Sequence, residues 1–161
     1  MKVFKEEQRF TQWWLWLGII SLGMCFIFGT IQQIFFNIPF GNNPMSNSGL
    51  ILFLLFYIIF AVIFGLLKLE TKINETGIYY RFYPIHIKFK SIKWEKVKVT
   101  QVIKYRPIFN YGGWGIKHGS FTVKGNIGIQ LTLINGKKIL IGTQKKIEAT
   151  QVLETYKKIK R

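Results

Sequence analysis

The chain has 161 residues and a formal net charge of +16, from 23 lysines and arginines against seven acids, all of them glutamates. A hydrophobic share of 49% excludes intrinsic disorder. The lack of aspartate excludes paired-aspartate chemistry and Asp-rich calcium loops. The single cysteine, Cys25, excludes an intrachain disulfide framework and any multi-cysteine metal site.

The charges are segregated. Lys2, Lys5, Arg9, Glu6 and Glu7 open the chain, and residues 1–12 read as a short cytoplasmic tail. From Thr11 to Leu67 no Lys, Arg, Asp or Glu occurs. Two apolar runs lie in this stretch, residues 13–36 and residues 50–69, each long enough to cross a hydrocarbon core of roughly 30 Å. Trp13, Trp14 and Trp16 stand where an interfacial aromatic belt is expected. Residues 37–49 between the runs are rich in Asn, Gly, Pro and Ser, the residues of turns. The pattern predicts a helical hairpin that crosses the membrane twice. A cleaved signal peptide fits less well, because the first run exceeds a usual h-region and no small-residue cleavage site follows. Both flanks are basic and the loop carries no charge, so the positive-inside rule places both termini in the cytoplasm and residues 37–49 outside. Neither span has an ionisable side chain to serve as a proton relay or charged pathway.

Residues 70–161 are normally charged and read as strands. Glu75-Thr76-Gly77 marks a turn before Ile78–Tyr83. Beyond Pro84, Ile85, Ile87 and Phe89 alternate with His86, Lys88 and Lys90, the pattern of a half-buried strand with His86 toward solvent. Ser91–Val97 reads as a short link that sets Trp94 against the sheet, and Val97–Tyr105 as a further strand. Ile127–Leu133 alternates, and Asn135-Gly136 predicts a hairpin to Ile139–Ile141. A strict two-residue loop would pair Leu131 with Leu140 and put Ile139 and Ile141 on the opposite face, unless a bulge shifts the register. Ala149, Val152, Leu153, Tyr156 and Ile159 fall at helical spacing, with Thr143 a candidate cap.

Several segments carry a resemblance: KEEQRFTQWWLW at the start, PFGNNPMSNSGL, YGGWGIKHG at Tyr111–Gly119, KGNIGIQL at Lys124–Leu131 and NGKKILIGTQ at Asn135–Gln144. Together they resemble a family of small Bacteroidetes membrane proteins of unknown function, with two spans and a bacterial pleckstrin-homology-like (PH-like) domain. The resemblance implies a membrane α-hairpin followed by a β-rich domain, an antiparallel PH-like sheet or barrel of six or seven strands closed by one C-terminal helix. It implies no catalytic residue and departs from the family pattern at Lys145-Lys146, where a proline-acidic helix start is expected.

Two groups of residues are candidates for interaction. Tyr111, Gly112, Gly113, Trp114, Gly115 and Lys117 form either an exposed binding loop or a glycine-supported bend in which Trp114 plugs the end of the barrel. Lys68, Lys72, Arg81, Lys88, Lys90, Lys93, Lys96 and Lys98 are candidate contacts for anionic headgroups, each worth about 1 kcal/mol close to a charged leaflet. Two separated histidines, His86 and His118, make no metal site, and no cofactor is expected. Nor is a hydrolytic triad, for want of aspartate and of a nucleophile elbow. The sequence therefore points to a non-catalytic inner-membrane protein. Its basic module would meet anionic lipid, a membrane protein partner or a second copy, and not nucleic acid. The alternative is an accessory subunit of a membrane enzyme or transporter. An enzyme reading requires a polar cavity around Tyr105, Arg106, Tyr111 and His118.

Overall fold

The computed structural model describes residues 3–117 and 119–156. His118 and the predicted helical positions beyond Tyr156, including Ile159, lie outside the described residues. The chain divides into two units. One comprises residues 11–66, and the other joins residues 1–10 to residues 67–161.

The first unit holds α1 (Trp13–Phe35) and α2 (Asn47–Leu66). Both are long and apolar enough to cross a bilayer. Their side chains face outward almost everywhere, and only Gly29 and Gln33 on α1 and Leu50 on α2 are buried. The helices meet through small residues and aromatic rings. A Cβ at Gly23 would sit 3.0 Å from the Tyr57 ring. The Tyr57 hydroxyl donates to the Ile19 carbonyl, and Phe26 packs edge-on against Phe53 and Tyr57. Asn37, at a φ of 55°, ends α1 while the Ile38 N–H bonds the Gln32 carbonyl. Ser46 Oγ accepts from the Gly49 N–H and caps α2. Gln33 supplies the loop's missing partners: its amide donates to the Met45 carbonyl and to Asn47 Oδ1, and its oxygen accepts from the Phe40 N–H.

The second unit begins where no strand was expected. Phe4–Arg9, read as part of a tail, is β1. It pairs antiparallel with β2 (Lys68–Ile73), register Arg9 to Lys68 and Phe4 to Ile73. The sheet continues through β3 (Gly77–Tyr83) to β4 (Lys90–Lys93) in the order β1-β2-β3-β4. The polar inward side chains of β1 disguise it. Phe4, Glu6 and Gln8 face the core while Lys5, Glu7 and Arg9 face out, so only Phe4 carries an apolar signal. β2 starts at Lys68, so α2 stops short of the predicted span end at residue 69.

A second sheet runs in the order β5-β8-β9-β7-β6, built from β5 (Val97–Lys104), β6 (Gly115–Lys117), β7 (Ser120–Thr122), β8 (Ile127–Leu133) and β9 (Lys138–Gly142). The fold is thus two sheets of four and five strands rather than one of six or seven, and the β7–β9 pair is parallel. Helix α4 (Lys146–Thr155) follows and buries Ala149, Val152 and Leu153. One core joins the inner faces of both sheets to α4, with Phe4, Leu69, Ile73, Phe82, Ile129 and Leu131 among its members.

Three local expectations change. Residues 84–89 form turns, not a strand, and Ile85 and Ile87 are exposed. The Asn135-Gly136 turn is a three-residue loop with Gly136 at a φ of 82°, so Leu131 pairs with Ile139 and Ile129 with Ile141. That one-residue shift, the bulge alternative, brings all four side chains to the core. Thr143 does not cap α4. Its hydroxyl instead accepts from the Lys145 N–H and donates to Glu6.

Candidate functional site

The cations chosen from the sequence are not equivalent. On the outward face of the first sheet, Glu7, Glu70 and Arg81 lie opposite one another across β1, β2 and β3. Lys68 Nζ bridges Glu7 and Glu70 at 2.9 and 2.8 Å, and Arg81 Nε meets Glu70 at 2.7 Å. Hydrogen bonds from Arg81 and Lys68 hold the Glu70 carboxyl below the usual carboxylate range against the opposing effect of burial. Glu70 and Glu7 in turn raise the Lys68 ammonium. Lys68 and Arg81 are therefore each paired with glutamate on the face of the sheet.

Lys72 and Arg81 also lie over the Phe89 ring, at 4.4 and 4.5 Å from its centroid. Lys90 stands 5.6 Å from the Phe121 ring, which packs against Tyr80 and His86. His86 is half-buried rather than solvent-facing. Burial first, and Lys90 second, lower its pKa. Lys88, Lys93, Lys96 and Lys98 are exposed but spread over a turn, β4, the 3-10 turn at Trp94–Lys96 and β5. Trp94 itself is buried and its indole N–H donates to the Asn74 carbonyl at 2.8 Å, as the sequence link suggested.

The glycine-rich segment is a glycine-supported bend, with Gly112, Gly113 and Gly115 all at positive φ. A short helix, α3 (Pro107–Tyr111), precedes it. Gly112, at a φ of 63°, ends α3 as its N–H bonds the Ile108 carbonyl, and the Gly113 N–H bonds the Pro107 carbonyl. Lys117 Nζ donates to the Gly112 carbonyl at 2.6 Å, closing the loop on itself. Trp114 is only half-buried and lies outside the core, so it plugs no barrel end. Its Nε1 donates to the Gly125 carbonyl at 2.9 Å and pins the loop to the turn before β8.

Clefts lie beside this loop. Two open clefts, of about 600 and 640 Å³, share Lys104, Tyr105, Arg106 and Phe109. Trp114 and Asn126 complete one, and Tyr111 and Gln130 the other. Tyr105 is the fixed element. Its N–H donates to the Asn126 carbonyl, its ring meets Tyr111 edge-on at 5.9 Å, and burial pushes its hydroxyl up to about 12. It is therefore a protonated donor at neutral pH, not a base. Lys104 and Arg106 are exposed at the rim, and no carboxylate lines either cleft. Beside them Ile108 is 65% and Phe109 85% exposed.

The structure thus gathers Tyr105, Arg106 and Tyr111, three of the residues an enzyme reading requires, among cations and aromatics, while the fourth, His118, lies outside the described residues. Among the described residues no three His, Cys, Asp or Glu side chains come together as metal ligands. The sequence reading passed over Lys104, Ile108 and Phe109. The available signal was the complete lack of acids from Lys96 to Ile147, where ten Lys and Arg occur, with Ile108 and Phe109 directly behind Arg106-Pro107. Residues 2–156 match a family of unknown function, DUF6141. No curated protein matches the chain.

Proposed function

For this chain, which belongs to the DUF6141 family, we propose an integral membrane protein whose basic β-domain, PH-like in its sheets-then-helix order, is a non-catalytic docking module held at the cytoplasmic face. Its ligands are anionic headgroups or the acidic surface of a membrane partner. The carrying observation is the pairing of Arg9 on β1 with Lys68 on β2, with both apolar helices falling between them in sequence. A chain that leaves a sheet, crosses a bilayer and re-enters the same sheet must cross an even number of times. Two uncharged helices of 23 and 20 residues satisfy this, at about 1.5 Å per residue. Their outward apolar surface is far larger than soluble proteins expose. The basic charge on both sides of the pair and its lack in residues 37–49 support cytoplasmic termini of an inner-membrane protein.

Cysteine accessibility in intact cells tests the reading. In a Cys25→Ala background, Asn42→Cys is expected to react with a membrane-impermeant maleimide from outside. Asn42 is preferable to Ser46, whose side chain caps α2. Protection at 42 together with labelling near the C-terminus would reverse the topology. Affinity purification in mild detergent from the native host would identify a protein partner directly.

A further inference from the structure

The strongest unassigned feature is the tip formed by α3. Its apolar side chains, Ile108 and Phe109, point into solvent and belong to no core. A five-residue helix held by two glycine-dependent backbone bonds, a lysine bridge and a tryptophan pin is an ordered way to present them. Cations precede the tip at Lys104 and Arg106, and no acid lies anywhere between Lys96 and Ile147. Among the described residues neither cation has an ion pair. One cleft at its base is lined by the buried Tyr105 and the half-buried Trp114. Exposed apolar side chains backed by aromatics and ringed by cations are the arrangement that sits at a bilayer interface. There the aliphatic and aromatic groups enter the acyl boundary while Lys and Arg meet phosphates. A partner protein of acidic surface would satisfy the cations but leave Ile108 and Phe109 unexplained.

We infer that the α3 tip is a membrane-docking element: Ile108 and Phe109 enter the interface of an anionic bilayer while Lys104 and Arg106 hold lipid phosphates. This rests on the membrane reading above and adds to it a second attachment, independent of the spans.

The test uses the full chain, Cys25→Ala, in lipid nanodiscs of phosphatidylcholine alone or mixed with phosphatidylglycerol. A solvatochromic probe is attached at Asn110→Cys or, as a control, at Asn135→Cys. Lys104 pairs with Ile127 and Val97 with Leu133, so the Asn135 turn lies at the opposite end of the β5–β8 pair from α3. The probe at 110 is expected to shift blue and to be quenched by nitroxide lipid in the anionic discs only, and the probe at 135 to stay water-like. Neutralising both cations, Lys104→Gln with Arg106→Gln, is expected to lower the docked-to-free ratio about 30-fold at low salt, from about 1 kcal/mol per charge. Phe109→Ser is expected to remove the quenching while the protein still co-elutes with the discs. Three results overturn the inference with the spans intact. One is a water-like probe at 110 in both lipids, and another an equal shift at both positions. The third is a shift produced by an acidic peptide and not by anionic lipid. Failure of the chain to remain in the discs at all would instead overturn the membrane reading, and this inference with it.

Discussion

Glu6 and Thr143 lie 137 positions apart in the chain, yet the Thr143 hydroxyl donates to the Glu6 carboxylate at 2.6 Å in a buried setting. The Gln144 N–H adds a second bond to the same carboxylate at 2.7 Å. Two residues along β1, the Gln8 amide donates to the Gly142 carbonyl at 2.7 Å. The N-terminal strand is thus bonded to the end of β9 and the approach to α4 as well as to β2. A buried carboxylate is tolerated there because its oxygens are bonded. Thr143→Val removes one donor from it and is expected to cost about 1–3 kcal/mol. A double-mutant cycle with Glu6→Gln on thermal melts should show strong coupling, and additive effects would deny the contact.

The same strand decides which fragment can fold. Residues 67–161 alone would lack β1, stripping Phe4 from the core and leaving the β2 edge unpaired. That fragment is expected to aggregate or to give a broad, non-cooperative melt. Joining residues 1–9 to residues 68–161 through a short Asn-Gly type turn would convert the Arg9–Lys68 pair into an ordinary hairpin. The fusion is expected to be soluble, with a dispersed amide spectrum. Equal behaviour of the two proteins would make β1 dispensable.

Gly77 opens β3 where no side chain fits. A Cβ there would lie 2.3 Å from the Ile92 carbonyl oxygen and 2.9 Å from Lys93 Cα, both backbone atoms of the paired strand β4. Gly77→Ala must therefore push β4 away and strain the bond from the Trp94 N–H to the Thr76 carbonyl. A loss of at least about 2 kcal/mol is expected, in the upper part of the usual range for single substitutions. Gly136→Ala keeps its surroundings, with nothing near the added Cβ, and pays only for its positive φ. The thermal midpoints of the two variants should rank in that order.

Acid should weaken the fold in two stages. His86 has its pKa lowered in the folded chain, by burial and then by Lys90. As the pH falls below about 6.5, the unfolded chain takes up that proton first and stability declines until the folded value is passed. Glu70, held low by Arg81 and Lys68, contributes above about 4.5 and loses its contribution as the pH falls through its folded value. Thermal midpoints measured from pH 8 down to pH 3 should therefore drop in two steps. His86→Phe should flatten the first and Glu70→Gln the second. A midpoint of His86→Phe that still falls as the pH drops below about 6.5, before the carboxylates titrate, would remove His86 as the cause.

Elements that depend on local composition and period were legible in the chain. The two apolar runs within fifty-seven uncharged residues form helices, and Asn135-Gly136 between alternating runs bends into a hairpin. The spacing of Ala149, Val152 and Leu153 marked one face of α4. Folding settled the rest, because the partners that matter are distant in the chain. β1 carries glutamate and glutamine inward, which makes sense only once Thr143, Gln144 and Gly142 arrive to bond them. Lys68 and Arg81 look like free cations until strand pairing sets Glu7 and Glu70 beside them. Ile108 and Phe109 look like core residues until folding fills the core without them. The net charge of +16 was legible from the start. Which cations remain free to act was settled by register and packing, because an ion pair across a sheet is fixed by three-dimensional distance and not by sequence separation.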